Sequence, residues 1–309
     1  MRQVTIQGKT YGYATAVRDN DAIRKSFNAL TRATFGFDFA EWRLLGGWDE
    51  LYQPHVLLDG ETVVANISVN RQDMLLDGKP VRGVQLGAVM TAETYRRRGL
   101  SRFLMEQVLA EWAGRCDLLY LFANDGVLDF YPPFGFEATG ETGHFLSLAS
   151  LTSPSADTPT PRKRLDMRRE TDRAWLMKKA RDGNPFSEIR MRGAEKLVLF
   201  YAAGFLREEF YALPEWGLAA VLRQEPDALY VQELLGEPSG LSSPALPVIL
   251  RSLTGGQGGL VRLGFPPADK TPFQHTAWRE EDTTFFLLRD GKRRWEALHN
   301  PLFPVLYHT

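Results

Sequence analysis

The stretch VQLGAVMTAETYRRRGLSRFLMEQVL, residues 84–109, constrains this chain more than any other. An apolar extended run ends at Thr91, a short loop carries Arg96, Arg97 and Arg98, and Gly99 opens a helix. Leu100, Phe103, Leu104, Val108, Leu109 and Trp112 fall on one face of that helix; Glu106, Gln107 and Glu111 fall on the other. Leu118 to Phe122 then runs apolar without a break, as a strand buried on both faces does. Strand, helix and strand in this order imply a right-handed crossover between parallel neighbours. The sheet is therefore at least partly parallel, and the fold class is α/β with a mixed sheet.

The elements upstream extend that sheet. A strand is expected at Tyr13 to Val17, then a helix capped by Asp19 or Asn20 with Ile23, Phe27, Leu30 and Phe35 at near-helical spacing. A second helix covers Asp38 to Leu45 and stops at Gly46-Gly47. His55 to Leu58 and Thr62 to Arg71 flank Asp59-Gly60 as a hairpin, and Asp77-Gly78 turns the chain into Val81 to Thr91. Downstream, a short helix (Val127 to Tyr131) precedes Pro132-Pro133, and strands follow near Phe136 to Thr139 and His144 to Leu148.

Ser150 to Pro161 reads SLTSPSADTPTP, a polar proline-rich connector without apolar periodicity. It divides the chain into a first domain (1–150), a linker (151–161) and a second domain (162–309), an ordinary size for each. Past the linker the order of elements begins again. Helices are expected at Glu170 to Arg181, Gly193 to Ala203 and Leu246 to Leu253. Strands are expected at Glu209 to Leu213, Leu218 to Leu222, Ala228 to Leu235, Leu260 to Leu263 and Thr283 to Leu288.

The loop before the first-domain helix is where chemistry concentrates. The first amides of a helix lack intrahelical acceptors, and with the helix dipole they attract an anion. Gly99 lets a pyrophosphate approach the backbone, Ser101 adds a small hydroxyl donor, and the three arginines add charge and planar donors. The loop matches neither the Walker pattern nor the dinucleotide fingerprint. Asn124 follows the buried strand, and Tyr131 follows Asn124 by one short helix, in NDGVLDFYPPFGFEATG.

Arg96-x-x-Gly99-x-Ser101 resembles the pyrophosphate loop of the GCN5-related N-acetyltransferase (GNAT) family, with serine where glycine or alanine is usual. Asn124, Leu128, Tyr131 and Gly135-Phe136 look like its second motif. Through Tyr95-Arg96-Arg97-Arg98-Gly99-Leu100 and Tyr131-x-x-Phe134-Gly135-Phe136 the chain is similar to the enhanced-intracellular-survival type of acetyltransferase. Those proteins carry a degenerate second acetyltransferase domain and a third, sterol-carrier-like one for which this chain has no room.

The resemblance implies acetyl-CoA as cofactor and a primary amine, on a small molecule or a protein, as acceptor. It implies that the backbone of Val89 and Thr91 pairs with the pantetheine arm. The loop Arg96, Arg97, Arg98, Gly99, Leu100 and Ser101 would bind the pyrophosphate. Asn124 would touch the cofactor and Tyr131 would protonate the departing thiolate, for which a phenol is a suitable acid.

The base is less marked. The family often places a glutamate on the strand before the loop, but Val81 to Thr91 contains Gln85 and no carboxylate. His55, Asp125, Asp129 and His144 are the neighbouring candidates, with a water chain as another route. In the closer relatives the C-terminal carboxylate takes part; Thr309 is its counterpart, and the role is not carried over without the third domain. The missing carboxylate leaves a non-catalytic acyl-CoA-binding regulator as an alternative, beside transfer to a hydroxyl or of a longer acyl chain.

The second half shows no such loop. Gly236 to Leu250 holds Pro238, Pro244 and Pro247 and no arginine, so a degenerate copy of the fold is expected there. A net charge of −1 gives no electrostatic reason for nucleic acid or an anionic membrane surface as partner. Cys116 is the single cysteine, which excludes an internal disulfide and a multi-cysteine metal site. No run has the ~20 apolar residues of a membrane span, and the N-terminus lacks a signal-peptide core, so a cytoplasmic protein is expected. Homo-oligomerisation is left open.

Overall fold

In the computed structural model the chain opens with a hairpin, β1 (Arg2–Ile6) and β2 (Lys9–Ala14). Its turn is Gln7-Gly8, both at positive φ. The strand expected at Tyr13 to Val17 thus lies earlier, because Gln7-Gly8 is a weaker turn signal than the Asn-Gly or Asp-Gly pairs that mark hairpins in sequence. Helix α1 (Asp21–Phe35) starts where expected: the Asn20 side chain accepts the Ile23 N–H at 3.1 Å. Gly36, at φ 79°, closes it with an N–H bond to Arg32 O. A short α2 (Ala40–Leu44) follows. The structure describes residues 1–150, 160–237, 246–254 and 259–308; most of the expected linker, Pro238, Pro244 and Thr309 lie outside them.

Strands β3 (Tyr52–Asp59), β4 (Thr62–Leu76) and β5 (Lys79–Thr91) form an antiparallel meander. Helix α3 (Leu100–Trp112) crosses over to β6 (Leu118–Ala123), which pairs parallel with β5. The buried stripe of α3 is Leu100, Leu104, Met105 and Val108. It packs on Ile67, Val69, Val84, Leu86, Leu119 and Leu121 of the sheet. The helix expected at Val127 to Tyr131 is instead two short 3-10 turns, Asp125–Phe130 and Pro132–Phe134. Pro132 and Pro133 deny amide donors to a longer helix. Strands β7 (Phe136–Ala138) and β8 (Glu141–Ser147) complete the first half.

After the linker come β9 (Lys163–Arg164), α4 (Glu170–Asp182), β10 (Ile189–Arg192) and α5 (Glu195–Ala203). Next are β11 (Phe210–Leu213), β12 (Leu218–Gln224), β13 (Ala228–Leu235), α6 (Leu246–Thr254) and β14 (Leu260–Leu263). The parallel pair β13 and β14, joined through α6, repeats the β5–α3–β6 crossover. Strands β15 (Gln274–Trp278) and β16 (Thr284–Leu288) and helix α7 (Arg289–Glu296) finish the chain. The mixed α/β class and the tandem order of elements are both present.

The sheets do not respect the expected division at 151–161. Strand β16 of the second half lies between β6 and β7 in the nine-stranded first sheet. Reciprocally, β8 of the first half lies between β14 and β15 in the seven-stranded second sheet. A third crossing pairs β10 with the end of β4. The exchanged strands fit because their alternation serves two cores. Phe286 joins the α3-side core, while Phe285 and Leu287 enter the core between the halves with Trp295, Phe303 and Tyr307.

Candidate functional site

The parallel strands β5 and β6 are bonded only between Gly83–Leu86 and Leu118–Leu121. Beyond those residues they diverge. Strand β4 stays with β5 to Thr91, through a bulge between Asn66 and Ser68 opposite Ala88, whose φ is 45°. The buried Asn66 amide fixes this bulge, donating to Ala88 O at 2.8 Å and to Ser68 Oγ at 2.9 Å. On its far side β6 pairs with β16. From Gly87 onward β5 therefore presents a backbone edge that β6 no longer covers. Val89 and Thr91 lie on that stretch, both half-buried.

At its end the chain turns into the cradle. Arg97 (φ 62°) and Gly99 (φ 76°) are both left-handed, the kind of backbone that forms anion-binding concavities. The amides of residues 97–102 reach no backbone acceptor among the described residues, whereas Phe103 N–H already bonds Gly99 O. Thr91 and Ser101 hydroxyls meet at 2.6 Å, tying the strand end to the first helical turn. A Cβ at Gly99 would sit 3.3 Å from Gln7 Nε2 in a backbone conformation that side chains rarely adopt. Arg98 stacks over Tyr95 at 5.0 Å, and the exposed Arg96 and Arg97 make no ion pair among the described residues. Leu100 is buried and offers only its amide. Free amides at the N-terminus of a helix, a glycine at the point of approach and three cations fit a diphosphate.

Tyr131 is buried at the other wall, its ring 5.5 Å from Phe286 and 6.3 Å from Phe136. Burial pushes its phenol up to about 12, so it holds its proton at neutral pH. Its hydroxyl has no hydrogen-bond partner among the described residues. Asn124 is exposed at the end of β6 and donates to Asp282 at 2.9 Å, while the Asp125 N–H bonds the other Asp282 oxygen at 2.7 Å. The lead-in to the exchanged β16 thus holds this corner; the Asn124 backbone carbonyl accepts the Val127 N–H, and its side-chain oxygen has no partner among the described residues.

The expected base candidates separate. His55 lies in the first sheet, Nδ1 2.7 Å from Tyr13 OH, and burial pushes it down to about 4. His144 is on β8, hence in the second sheet away from the divergence, also pushed to about 4 by burial. Asp125 is ion-paired with Arg279, and Asp129 is solvent-exposed. Gln85 belongs to a buried amide network: Gln72 Nε2 donates to Gln85 Oε1 at 2.8 Å and Tyr120 OH to Gln72 Oε1 at 3.0 Å.

Sequence reasoning missed His308. Its ring stacks on Phe122 with centroids 3.7 Å apart, its Nδ1 lies 3.5 Å from Glu280 Oε2, and its Nε2 meets Phe303 O at 3.1 Å. Phe122 is the first residue of β6 past the pairing with β5, on the face turned away from α3. Behind it the buried Glu141, pushed up to about 7 by burial, accepts the Phe303 N–H at 2.8 Å. Nothing in the local sequence brings residues 122, 280 and 308 together; only the exchange of β8 and β16 does.

Among the described residues no group of side chains could hold a metal ion, and no helix is long and apolar enough to cross a membrane. The family model described as Acetyltransferase (GNAT) domain matches residues 20–139. Comparison with the curated proteins returns no match. A conserved protein of unknown function from Enterococcus faecalis superposes with a TM-score of 0.57 at 15% identity, over 90% of this chain and 72% of that one. A GCN5-related N-acetyltransferase from Kribbella flavida gives 0.55 at 18% identity, over 90% and 70%. Eis1 from Mycobacterium abscessus gives 0.53 at 14% identity, over 89% and 72%. At these identities the likeness is one of fold, and it spans both halves of the chain.

Proposed function

We propose that this chain, whose residues 20–139 match the family model described as Acetyltransferase (GNAT) domain, transfers acetyl from acetyl-CoA to a primary amine. The observation that carries this reading is a coincidence in space. An uncovered strand edge leads into a cradle of free amides where β5 and β6 part, and the buried phenol of Tyr131 packs in the same core as Val89 and Leu100. Bound coenzyme A would supply the activated acetyl thioester. Amides 97–102 hold the diphosphate, aided by Arg96 to Arg98, and the β5 edge at Val89 and Thr91 aligns the arm as an added strand would.

As the amine nitrogen bonded the acetyl carbon and the carbon–sulfur bond broke, Tyr131 would protonate the leaving sulfur from its phenol oxygen. The incoming amine must lose a proton on the opposite face of the sheet. His308, stacked on Phe122 with Glu280 beside its Nδ1, is our candidate to take it, and would do so at Nε2 once that nitrogen leaves the Phe303 carbonyl. A pure acyl-CoA-binding module is the second reading, favoured by the carboxylate-free network at Gln72, Gln85 and Tyr120. Coenzyme A release measured over a panel of primary amines, with Gly99→Glu as the blank, tests the proposal. Release that depends on the amine and is lost in the blank supports it; none with any amine, despite tight coenzyme A binding, supports the binding module.

A further inference from the structure

A cavity of about 680 Å³ opens at the end of β5 opposite the cradle. It arises because β4 changes partners there. Strand β3 pairs with β4 as far as Tyr52 opposite Asn70, and β10 takes over at Arg192 opposite Asp73. Between them the Arg71 N–H bonds Leu51 O and its guanidinium donates to Glu50 O at 2.7 Å, while Gln72 pairs with neither β3 nor β10. Buried donors without an acceptor among the described residues gather on residues lining this cavity, among them Asn70 Nδ2, Arg71 Nε and Trp112 Nε1. Asn70 itself is 6% exposed. The grouping of these donors on residues around one cavity points to an acceptor-bearing occupant.

The charge of the walls says which kind. Arg71, Arg192 and Lys196 stand against Asp49 and Asp73. Water alone would satisfy the donors but gives no reason for a cationic surplus. We infer that this cavity binds a small organic or inorganic anion with several acceptor oxygens, a carboxylate or a phosphate, at a site separate from the acyl-donor cradle. It lies where the two halves of the chain meet, since β10 and the start of α5 form one wall. Asn70 stands four residues along β4 from the bulge at Asn66, roughly 13 Å at the usual strand rise.

The test is calorimetry on the full chain with coenzyme A at saturation, so that the cradle is already filled. Succinate, citrate and inorganic phosphate are titrated separately, which distinguishes carboxylate from phosphate. At least one should bind saturably at one site per chain. Arg192→Glu should weaken that binding tenfold or more, since it reverses a charge on an exposed residue and leaves the fold alone. Asn70→Leu should weaken it by removing a donor without changing charge. Arg168→Glu, on a distant exposed residue, should leave it unaltered. The inference fails if none of the three anions binds, if Arg192→Glu and Asn70→Leu bind as the parent does, or if Arg168→Glu weakens binding equally.

Discussion

Phe286 tests the strand exchange. It lies on β16, a second-half strand, yet its side chain is 3% exposed in the first-half core, 5.5 Å from the Tyr131 ring. Truncating such a phenylalanine to alanine costs about 3–5 kcal/mol, through lost transfer energy and the cavity left behind. Unfolding entropy is about 2.1 cal/mol/K per residue, so a cooperative unit the size of this 309-residue chain unfolds with about 0.65 kcal/mol/K. The quotient predicts that Phe286→Ala lowers the melting temperature by about 5–8 °C. Because β8 and β16 each complete the other half's sheet, neither half can melt alone. Differential scanning calorimetry should show one transition, with calorimetric and van't Hoff enthalpies in agreement, shifted as a whole in the variant. Two transitions of which only one moves would refute the interleaving.

Gly99→Glu should reduce coenzyme A affinity by at least ~100-fold in calorimetry while costing only about 1–2 kcal/mol of stability for a side chain at positive φ; a folded variant with parental affinity would place the diphosphate elsewhere. Tyr131→Phe should lower turnover by ~10²-fold, about 2.7 kcal/mol of activation energy, with little change in melting temperature, since its hydroxyl has no partner among the described residues to lose. Full activity in that variant removes Tyr131 from the mechanism. Glu233 is fully buried, and burial pushes its carboxyl up to about 8 from the ordinary 4.5. Between those values the unfolded chain has released a proton that the folded chain keeps, so this residue makes stability fall as pH rises from about 4.5 to about 8. Glu233→Gln removes that contribution, and its urea midpoint should gain on the parent's between pH ~5 and ~8; parallel curves would count against the buried acid.

How much of this was legible depends on whether a feature is local. The start of α3 at Gly99, the unpaired amides beside it and the β13–α6–β14 crossover rest on short-range patterns, and the structure has them in place. A cap at Asp19 or Asn20 was legible too, because short polar side chains compete for nearby amides, and the structure uses Asn20. Strand partners are another matter. Residues 141–147 and 284–288 carry the same alternation whichever sheet they join, so the connector at 151–161 suggested two closed halves. That is why His144 was placed near the site, and why His308 and Asp282 were overlooked. The Thr91–Ser101 contact was missed for a smaller reason: two hydroxyls ten residues apart meet only once β5 is extended to its last residue.

In the proposed reaction the amide cradle, the β5 edge and Tyr131 deliver an acetyl group to an amine. A single-turnover reaction with isotopically labelled acetyl-CoA, followed by mass spectrometry of the acceptor, tests it most directly. The account predicts the label on an amine nitrogen of the acceptor, appearing in step with free coenzyme A, and at least ~10²-fold more slowly in Tyr131→Phe. Label on a hydroxyl oxygen, or label that never leaves coenzyme A with any amine tried while the thioester binds tightly, would contradict it.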